Sequence, residues 1–328
     1  MAKFNGKKAP TLYDLFHKNP FSGKGVSKRD DVPRTFGNFF KLSWWHINHI
    51  FTVNMAFIFG NFPLIFLMLG ISGLLNDAAP SPASSIYASL FGAMQEASDP
   101  FTAALYGIHG IQGTIAVTTT ATKVMYIIGA LVIFTFGLTN IGTTYILRNL
   151  IKGDPIFPWH DFWYAIKRNL RQGFIMGIID ILILVMTIYD VIFFYFNMGN
   201  FTTSLMFYAS ILLAIIYFIM RFYIYNLIIT FDLSLFKIIK NAFIFSALGL
   251  KRNLVAFIGI AILIVIDYTL ILTFLPLGVM LPLMIMYGYC AYIGSYAAWP
   301  KIKEIMIDPY VTEEEKPEEE AIFEDDVL

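Results

Sequence analysis

Six long apolar runs separated by polar stretches organise the chain. They fall at about 46–75, 123–147, 172–197, 203–230, 254–274 and 277–298. Runs of roughly 18 residues or more with almost no charge read as membrane-spanning helices. No Lys or Arg occurs between Lys41 and Lys123, and Arg221 alone lies between Arg171 and Lys237. The expected fold is all-α: a polytopic membrane helix bundle with six transmembrane helices. Gly60-Asn61-Phe62-Pro63 interrupts the first run, so a kink is expected near Pro63. Phe274-Leu275-Pro276-Leu277-Gly278 forms a short turn between the last two.

Three amphipathic stretches precede outward-going spans and read as interfacial helices. In 36–45, Phe36, Phe39, Phe40 and Trp44 recur at helical spacing around Lys41. In 159–170, Trp159, Phe162, Trp163, Ile166 and Leu170 do the same beside Lys167 and Arg168, with Asp154 and Pro155 as a start signal. In 233–243, Leu235, Phe236, Ile239 and Phe243 flank Lys237 and Lys240. Such helices lie in the headgroup region with the aromatic face down. They serve either as plain anchors or as a docking surface for a cytoplasmic partner, with Trp159, Trp163, Lys167, Arg168, Lys237 and Lys240 as candidates. The pattern suggests three units of interfacial helix, span out and span back. Lys167-Arg168-Asn169-Leu170 is echoed by Lys251-Arg252-Asn253-Leu254, although Ala165 to Arg168 also aligns with Ile238 to Asn241.

Charge then orients the bundle. Of 23 basic residues, 21 fall on one side of the six runs, Lys123 on the other and Arg221 inside the membrane. The excess of basic residues in short loops marks the cytoplasmic side. Both termini are therefore expected in the cytoplasm. The expected organisation is a basic cytoplasmic segment at 1–35, a six-span domain at 36–300 with an outward loop at 76–122, and an acidic cytoplasmic tail at 301–328. No cleavable signal peptide is expected, because the first 35 residues are polar. In the outward loop, Ile86, Leu90, Phe91 and Met94 suit a short amphipathic helix, and Phe101 to Ile115 is apolar enough to dip into the membrane. The loop reads as a structural cap or as a lid.

With 57% hydrophobic and 14% charged residues, the chain lies far from the ~25% charge of soluble domains. One cysteine, Cys290, precludes an intramolecular disulfide. Charges inside the membrane are costly and are functional candidates by default. Asp180 and Arg221 both lie about 15 Å from the inner surface on adjacent spans, at 1.5 Å per helical residue. They are expected to pair, either as a buried ion pair that fixes helix register or as part of a relay; the remaining alternative is Arg221 snorkelling inward without a partner. Asp267, about 20 Å deep, is the third candidate. Asp190 lies near the outer surface. His46 and His49 are three apart on one helical face, but no carboxylate or cysteine accompanies them. His109 and His160 are isolated, and no metal is expected. Phosphate-binding, serine-hydrolase and zinc-protease motifs are missing, so neither an enzyme nor a cofactor is expected. The basic residues ring one membrane face, so nucleic acid is not an expected partner. Gly129, Gly137 and Gly142 in the second span suit close helix packing.

The stretch Gly137-Leu-Thr-Asn-Ile-Gly142, then Arg148-Asn149-Leu150-Ile-Lys152-Gly153-Asp-Pro155-Ile-Phe157, continues through Trp159-His-Asp161-Phe162-Trp163 to Gln172. It resembles the YesL-like family of bacterial integral membrane proteins, whose function is unknown. Gly23-Lys24-Gly25-Val26-Ser27-Lys28 and Asn61-Phe62-Pro63 fit its longer members. The outward loop is longer than the family pattern, and the acidic tail is an addition. The resemblance implies a bacterial plasma membrane protein encoded beside carbohydrate ABC importers, and it identifies no catalytic residues. The expected function is an accessory or regulatory membrane subunit associated with such an importer, with its permease or ATPase subunits and the lipid bilayer as partners. The alternative is a stand-alone small-molecule or ion transporter using the intramembrane Asp and Arg residues. The tail, with ten acidic residues against one Lys after residue 307, is either a solvated end or a docking peptide anchored by Ile322 and Phe323.

Overall fold

The computed structural model describes residues 35–81, 100 and 113–310. The segment before Thr35, the expected helix at Ile86 to Met94, His109 and the tail docking candidates Ile322 and Phe323 lie outside these residues. The chain is a helical bundle with five helices long and apolar enough to cross a membrane, or six when one bent pair counts as a span.

The first helix, α1 (Phe36–Trp45), starts at Thr35, whose hydroxyl accepts from the Asn38 backbone N–H at 3.4 Å. The pair α2 (Ile47–Gly60) and α3 (Pro63–Ile71) is bent by 59° at Asn61-Phe62, where Pro63 cannot donate to the helical ladder. A two-stranded antiparallel ribbon follows, β1 (Asp77–Ser81) with β2 (Gly113–Val117). Gly113 to Ile115, part of the stretch expected to dip into the membrane, is therefore strand. The return span is α4 (Thr120–Ala130) and α5 (Val132–Lys152). Thr119 caps α4 and donates to the Leu75 carbonyl at 2.6 Å, while Thr122 donates to Asn76 at 2.7 Å. These bonds tie the two ends of the outward loop together.

Antiparallel pairing runs through the bend. A Cβ on Gly60 would collide with Thr139, one on Gly129 would sit 2.8 Å from the Cα of Leu67, and Tyr126 donates to the Gly70 carbonyl at 3.1 Å. The contacts 60–139, 67–129 and 70–126 advance without reversal, so α2 and α3 cross as one bent span. The count is then six, and the two described ends, Thr35 and Tyr310, share one side.

The second unit is α6 (Pro158–Arg168), α7 (Leu170–Phe196) and α8 (Phe201–Thr230); the third is α9 (Leu235–Leu248), α10 (Leu250–Thr273) and a return span. That return comprises α11 (Leu275–Leu281), a π-helical turn (Pro282–Met286) and α12 (Tyr287–Met306). The last helix runs on past residue 300, with Pro300 inside it. Asn200 caps α8 in a reciprocal box with Thr203. At the π turn, Asn54 of α2 donates to the Pro282 and Leu283 carbonyls at 3.1 and 2.8 Å while accepting from the Gly288 N–H. Hydrocarbon offers no water to meet those groups, so a side chain must.

Three single-residue hinges join each interfacial helix to its outgoing span: His46, Asn169 and Gly249. Their φ/ψ values are nearly the same, −115/24, −116/22 and −91/15. The units thus repeat in space. Matching hinge to hinge shifts numbers by 80, so neither sequence echo is in register: Lys167 corresponds to Ala247, not to Lys251 or Lys240. At the third hinge a Cβ on Gly249 would lie 2.5 Å from the Tyr223 hydroxyl, which donates to Asn253.

The core gathers at the basic end, where Ile146, Leu147 and Leu150 of α5 meet Tyr223, Leu227 and Ile228 of α8. The outer halves of α7, α8 and α10 expose Phe196, Phe201 and Leu272, as a lipid-facing surface requires. Where α5 crosses α7, Gly137 faces Gly173 and Gly177, and a Cβ on Gly137 would sit 2.5 Å from the Gly177 Cα. Small residues let the backbones touch. Gly137→Leu is expected to lower unfolding stability by about 1–3 kcal/mol, the usual cost of overpacking, read as a drop in the melting temperature of the detergent-purified protein.

Candidate functional site

Asp180 lies on α7 and is 0% exposed. The facing helix, α8, presents Tyr217, Arg221 and Tyr225, four residues apart and hence on one stripe. Tyr217 donates to Asp180 Oδ1 at 2.7 Å and Tyr225 to Oδ2 at 2.6 Å. Arg221 Nε lies 3.0 Å from Oδ1 and 3.1 Å from Oδ2. The guanidinium also sits over the Phe136 ring of α5, 5.6 Å from its centroid. The carboxylate thus has a cation and two hydroxyl donors, which is what a charge in hydrocarbon requires. The two tyrosines were not among the residues singled out from the sequence, although the spacing Tyr217-x3-Arg221-x3-Tyr225 was available as a signal.

Asp267 of α10 is 8% exposed, and among the described residues its Oδ1 has no hydrogen-bond partner. It belongs to a different helix pair from Asp180. Asp190, near the outer end of α7, is half-buried.

The interfacial candidates divide. In α6, Phe162 and Ile166 turn inward, Phe162 against Gly142 of α5, whereas Trp159 and Trp163 are exposed with Lys167 and Arg168. The expected single aromatic stripe is two faces, one packed on protein and one free for the membrane or a partner. The start of α6 also differs from expectation. Asp154 pairs with Lys152 at 2.7 Å, and the helix begins at Pro158, with Asp161 accepting from the Phe157 N–H at 2.9 Å. In α9, Ile238, Ala242 and Phe245 are buried, and Phe236, Lys237, Lys240 and Phe243 are exposed. Helix α6 packs on α2, α5 and α7, whereas α9 packs on α8, α10 and α12.

Arg148 links the inner ends of the spans. It donates to the Ile229 carbonyl at 2.9 Å and to Asn149 at 3.1 Å, and it stacks 4.5 Å from the Tyr145 ring. It thereby closes the C-terminus of α8. His46 and His49 have ring centroids 5.4 Å apart, and no group of three or more metal-ligating side chains occurs among the described residues.

The class defined by this architecture is an α-helical, multi-pass membrane protein with a closed intramembrane charge cluster. A family model described as "Protein of unknown function, DUF624" matches residues 116–191, from the end of β2 through most of α7. The match includes Asp180 and the stretch that resembles YesL-like proteins, with which it is consistent, and ends before Tyr217, Arg221 and Tyr225. No curated protein and no solved structure matches the chain.

Removing one partner of this cluster strands the other. Asp180→Asn and Arg221→Met are each expected to destabilise by about 3–5 kcal/mol, and the double variant by less than their sum. Tyr217→Phe and Tyr225→Phe are expected to cost about 1–3 kcal/mol each. A thermal-unfolding double-mutant cycle measures this, and strict additivity for Asp180 and Arg221 contradicts it.

Proposed function

We propose that this chain is a non-catalytic accessory or regulatory membrane subunit that docks through its basic end onto a transporter. The resemblance to YesL-like proteins points to a carbohydrate ABC importer as that partner. The observation that carries the reading is the contrast between inside and surface. The Asp180 carboxylate is fully occupied within the protein, which suits a structural clamp better than a transport path. Trp159, Trp163, Lys167, Arg168, Lys237 and Lys240, by contrast, project outward from α6 and α9. Aromatic and basic side chains together suit docking at a membrane-side protein interface. The acidic tail with Ile322 and Phe323 is a second docking element for a basic cytoplasmic surface.

In this reading the basic end faces the cytoplasm, supported by the 21 basic residues assigned to that side, and the YesL-like resemblance points to a bacterial plasma membrane. In a Cys290→Ala background, an impermeant thiol reagent applied to intact cells is expected to label Gly199→Cys and not Asp232→Cys. The reverse pattern inverts the orientation.

Mild-detergent purification followed by mass spectrometry tests the docking. Stoichiometric permease or ATPase subunits are expected. Lys167→Glu with Arg168→Glu is expected to weaken their retention about tenfold, at the ~0.2–1 kcal/mol typical of each exposed charge pair. Truncation after Met306 is expected to lower retention and its salt sensitivity. A protein that purifies alone and binds a small solute supports the second reading, a stand-alone transporter. That reading is favoured by one observation, the buried and unpartnered Oδ1 of Asp267.

A further inference from the structure

The three return spans, α5, α8 and α12, pack on one another, and each meets the outgoing span of the next unit, the third closing on the first. A Cβ on Gly137 of α5 would strike Gly173 and Gly177 of α7, and one on Gly288 of α12 would strike Ile50 and Asn54 of α2. Phe218 of α8 meets Phe257 of α10, with ring centroids 5.8 Å apart. Counted from the hinges His46, Asn169 and Gly249, residues 50, 173 and 253 are one position and 54, 177 and 257 another. Gly137, Phe218 and Gly288 are therefore equivalent, and the Arg148 bond to the Ile229 carbonyl has the same offset of 81 between α5 and α8. About one helical turn toward the basic end, Asn140, Arg221 and Ala291 share a level.

Burial changes at that level. On its basic side, Phe222 to Ile229 of α8, Tyr292 to Trp299 of α12 and Ile141 to Thr143 of α5 are all buried. Asn140, Arg221 and Ala291 are partly exposed, although α5 is flanked by α2, α7, α8 and α12. The opening beside them thus lies inside the bundle, with its floor at this level. Arg221 grips Asp180 through Nε; among the described residues neither of its terminal nitrogens makes a hydrogen bond, and 21% of the side chain is exposed. Its guanidinium lies over Phe136, one turn from Asn140 on α5. Asn140 donates to the Phe136 carbonyl at 2.8 Å, and among the described residues its Oδ1 accepts no hydrogen bond. None of these unpartnered atoms is fully buried.

We propose that this internal cleft binds a small neutral solute through a hydroxyl group, which accepts from the terminal N–H groups of Arg221 and donates to Asn140 Oδ1. Arg221 lies roughly 14 Å from the inner end of α8, deep in a hydrocarbon layer of about 30 Å, where lipid offers no acceptor. Asp180 already cancels the Arg221 charge, so a bound anion would add an unpaired charge away from water. A hydroxyl accepts and donates at once without carrying charge. Donors and an acceptor held inside a bundle cost free energy until such a group meets them. The clamp on Asp180 uses the Nε edge of Arg221, so the fork at its far edge is available without loosening the clamp. The cleft is separate from the exposed faces of α6 and α9 and goes beyond the docking reading.

Asn140 supplies a clean test, because its side chain bonds only within its own helix. The full-length protein in mild detergent is titrated with erythritol, a neutral polyol, and with erythronate, the carboxylate of the same carbon chain, and binding is read by saturation-transfer NMR of the solute. Saturable binding of erythritol is expected, with erythronate bound more weakly. Asn140→Leu is expected to weaken erythritol about fivefold, the worth of one neutral hydrogen bond. Arg221→Lys keeps a cation beside Asp180 but removes the fork, and it is expected to abolish saturable binding. Lys167→Glu with Arg168→Glu is expected to leave erythritol binding unchanged, which separates this site from the docking faces. Tighter binding of erythronate than of erythritol overturns the proposal in favour of an anion site. Saturable binding of neither solute overturns it in favour of water alone at Arg221 and Asn140. Undiminished erythritol binding by Asn140→Leu places the solute elsewhere and also overturns it. Should Arg221→Lys fail to fold, Asn140→Leu decides the question.

Discussion

A carboxylate in hydrocarbon must bring its own donors, and the arrangement of the second and third spans follows from that requirement. Asp180 is met by Tyr217, Arg221 and Tyr225, all from one stripe of α8. Only one rotation and one vertical register of α8 against α7 place three side chains, each four residues apart, around a single carboxyl group. The short turn at Asn197 to Asn200 permits many angles between these helices, and the cluster selects one. With α8 fixed, its inner end meets Arg148 of α5 and its Tyr223 meets Asn253 at the third hinge. The charge cluster thus reaches all three units through a few polar contacts in an otherwise apolar bundle.

The same demand for satisfied polar groups explains the irregular backbone. The π turn at Pro282 to Met286 is tolerated because Asn54 accepts one N–H and donates to two carbonyls. The first span bends where Pro63 interrupts the ladder, and the Asn61 side chain donates to the Phe57 carbonyl at 3.1 Å. Elsewhere packing is set by absence of bulk. Gly137, Gly173 and Gly177 bring α5 and α7 into backbone contact, where dispersion forces and carbonyl contacts replace the hydrophobic effect that lipid does not supply.

The interfacial helices illustrate why a repeated plan need not give a repeated surface. The hinges His46, Asn169 and Gly249 share one backbone conformation, yet each helix lands on different neighbours. Helix α6 covers Gly142 and leaves two tryptophans outward, α9 buries Ile238 and Phe245, and α1 stands off the bundle far enough to leave a groove beside Gly259. The exposed surfaces of the three helices therefore differ although their hinges repeat.

Sequence alone determined the features that are properties of one helix at a time. Hydropathy located the spans because transfer into lipid depends on composition and length, not on neighbours. The bend at Pro63 was legible because proline lacks a donor, and the depth match of Asp180 and Arg221 followed from the helical rise. The expected repeat of interfacial helix, span and return also reads correctly in space, although its register does not. Tertiary structure alone decided which faces meet. Each residue turns the helix by 100°, so a depth match leaves azimuth open, and azimuth recruits Tyr217 and Tyr225 to Asp180. Azimuth likewise splits the aromatic residues of α6 into a buried Phe162 and exposed Trp159 and Trp163. It leaves Gly259 facing open space while Gly137 lies against another backbone, though the sequence shows the two glycines alike.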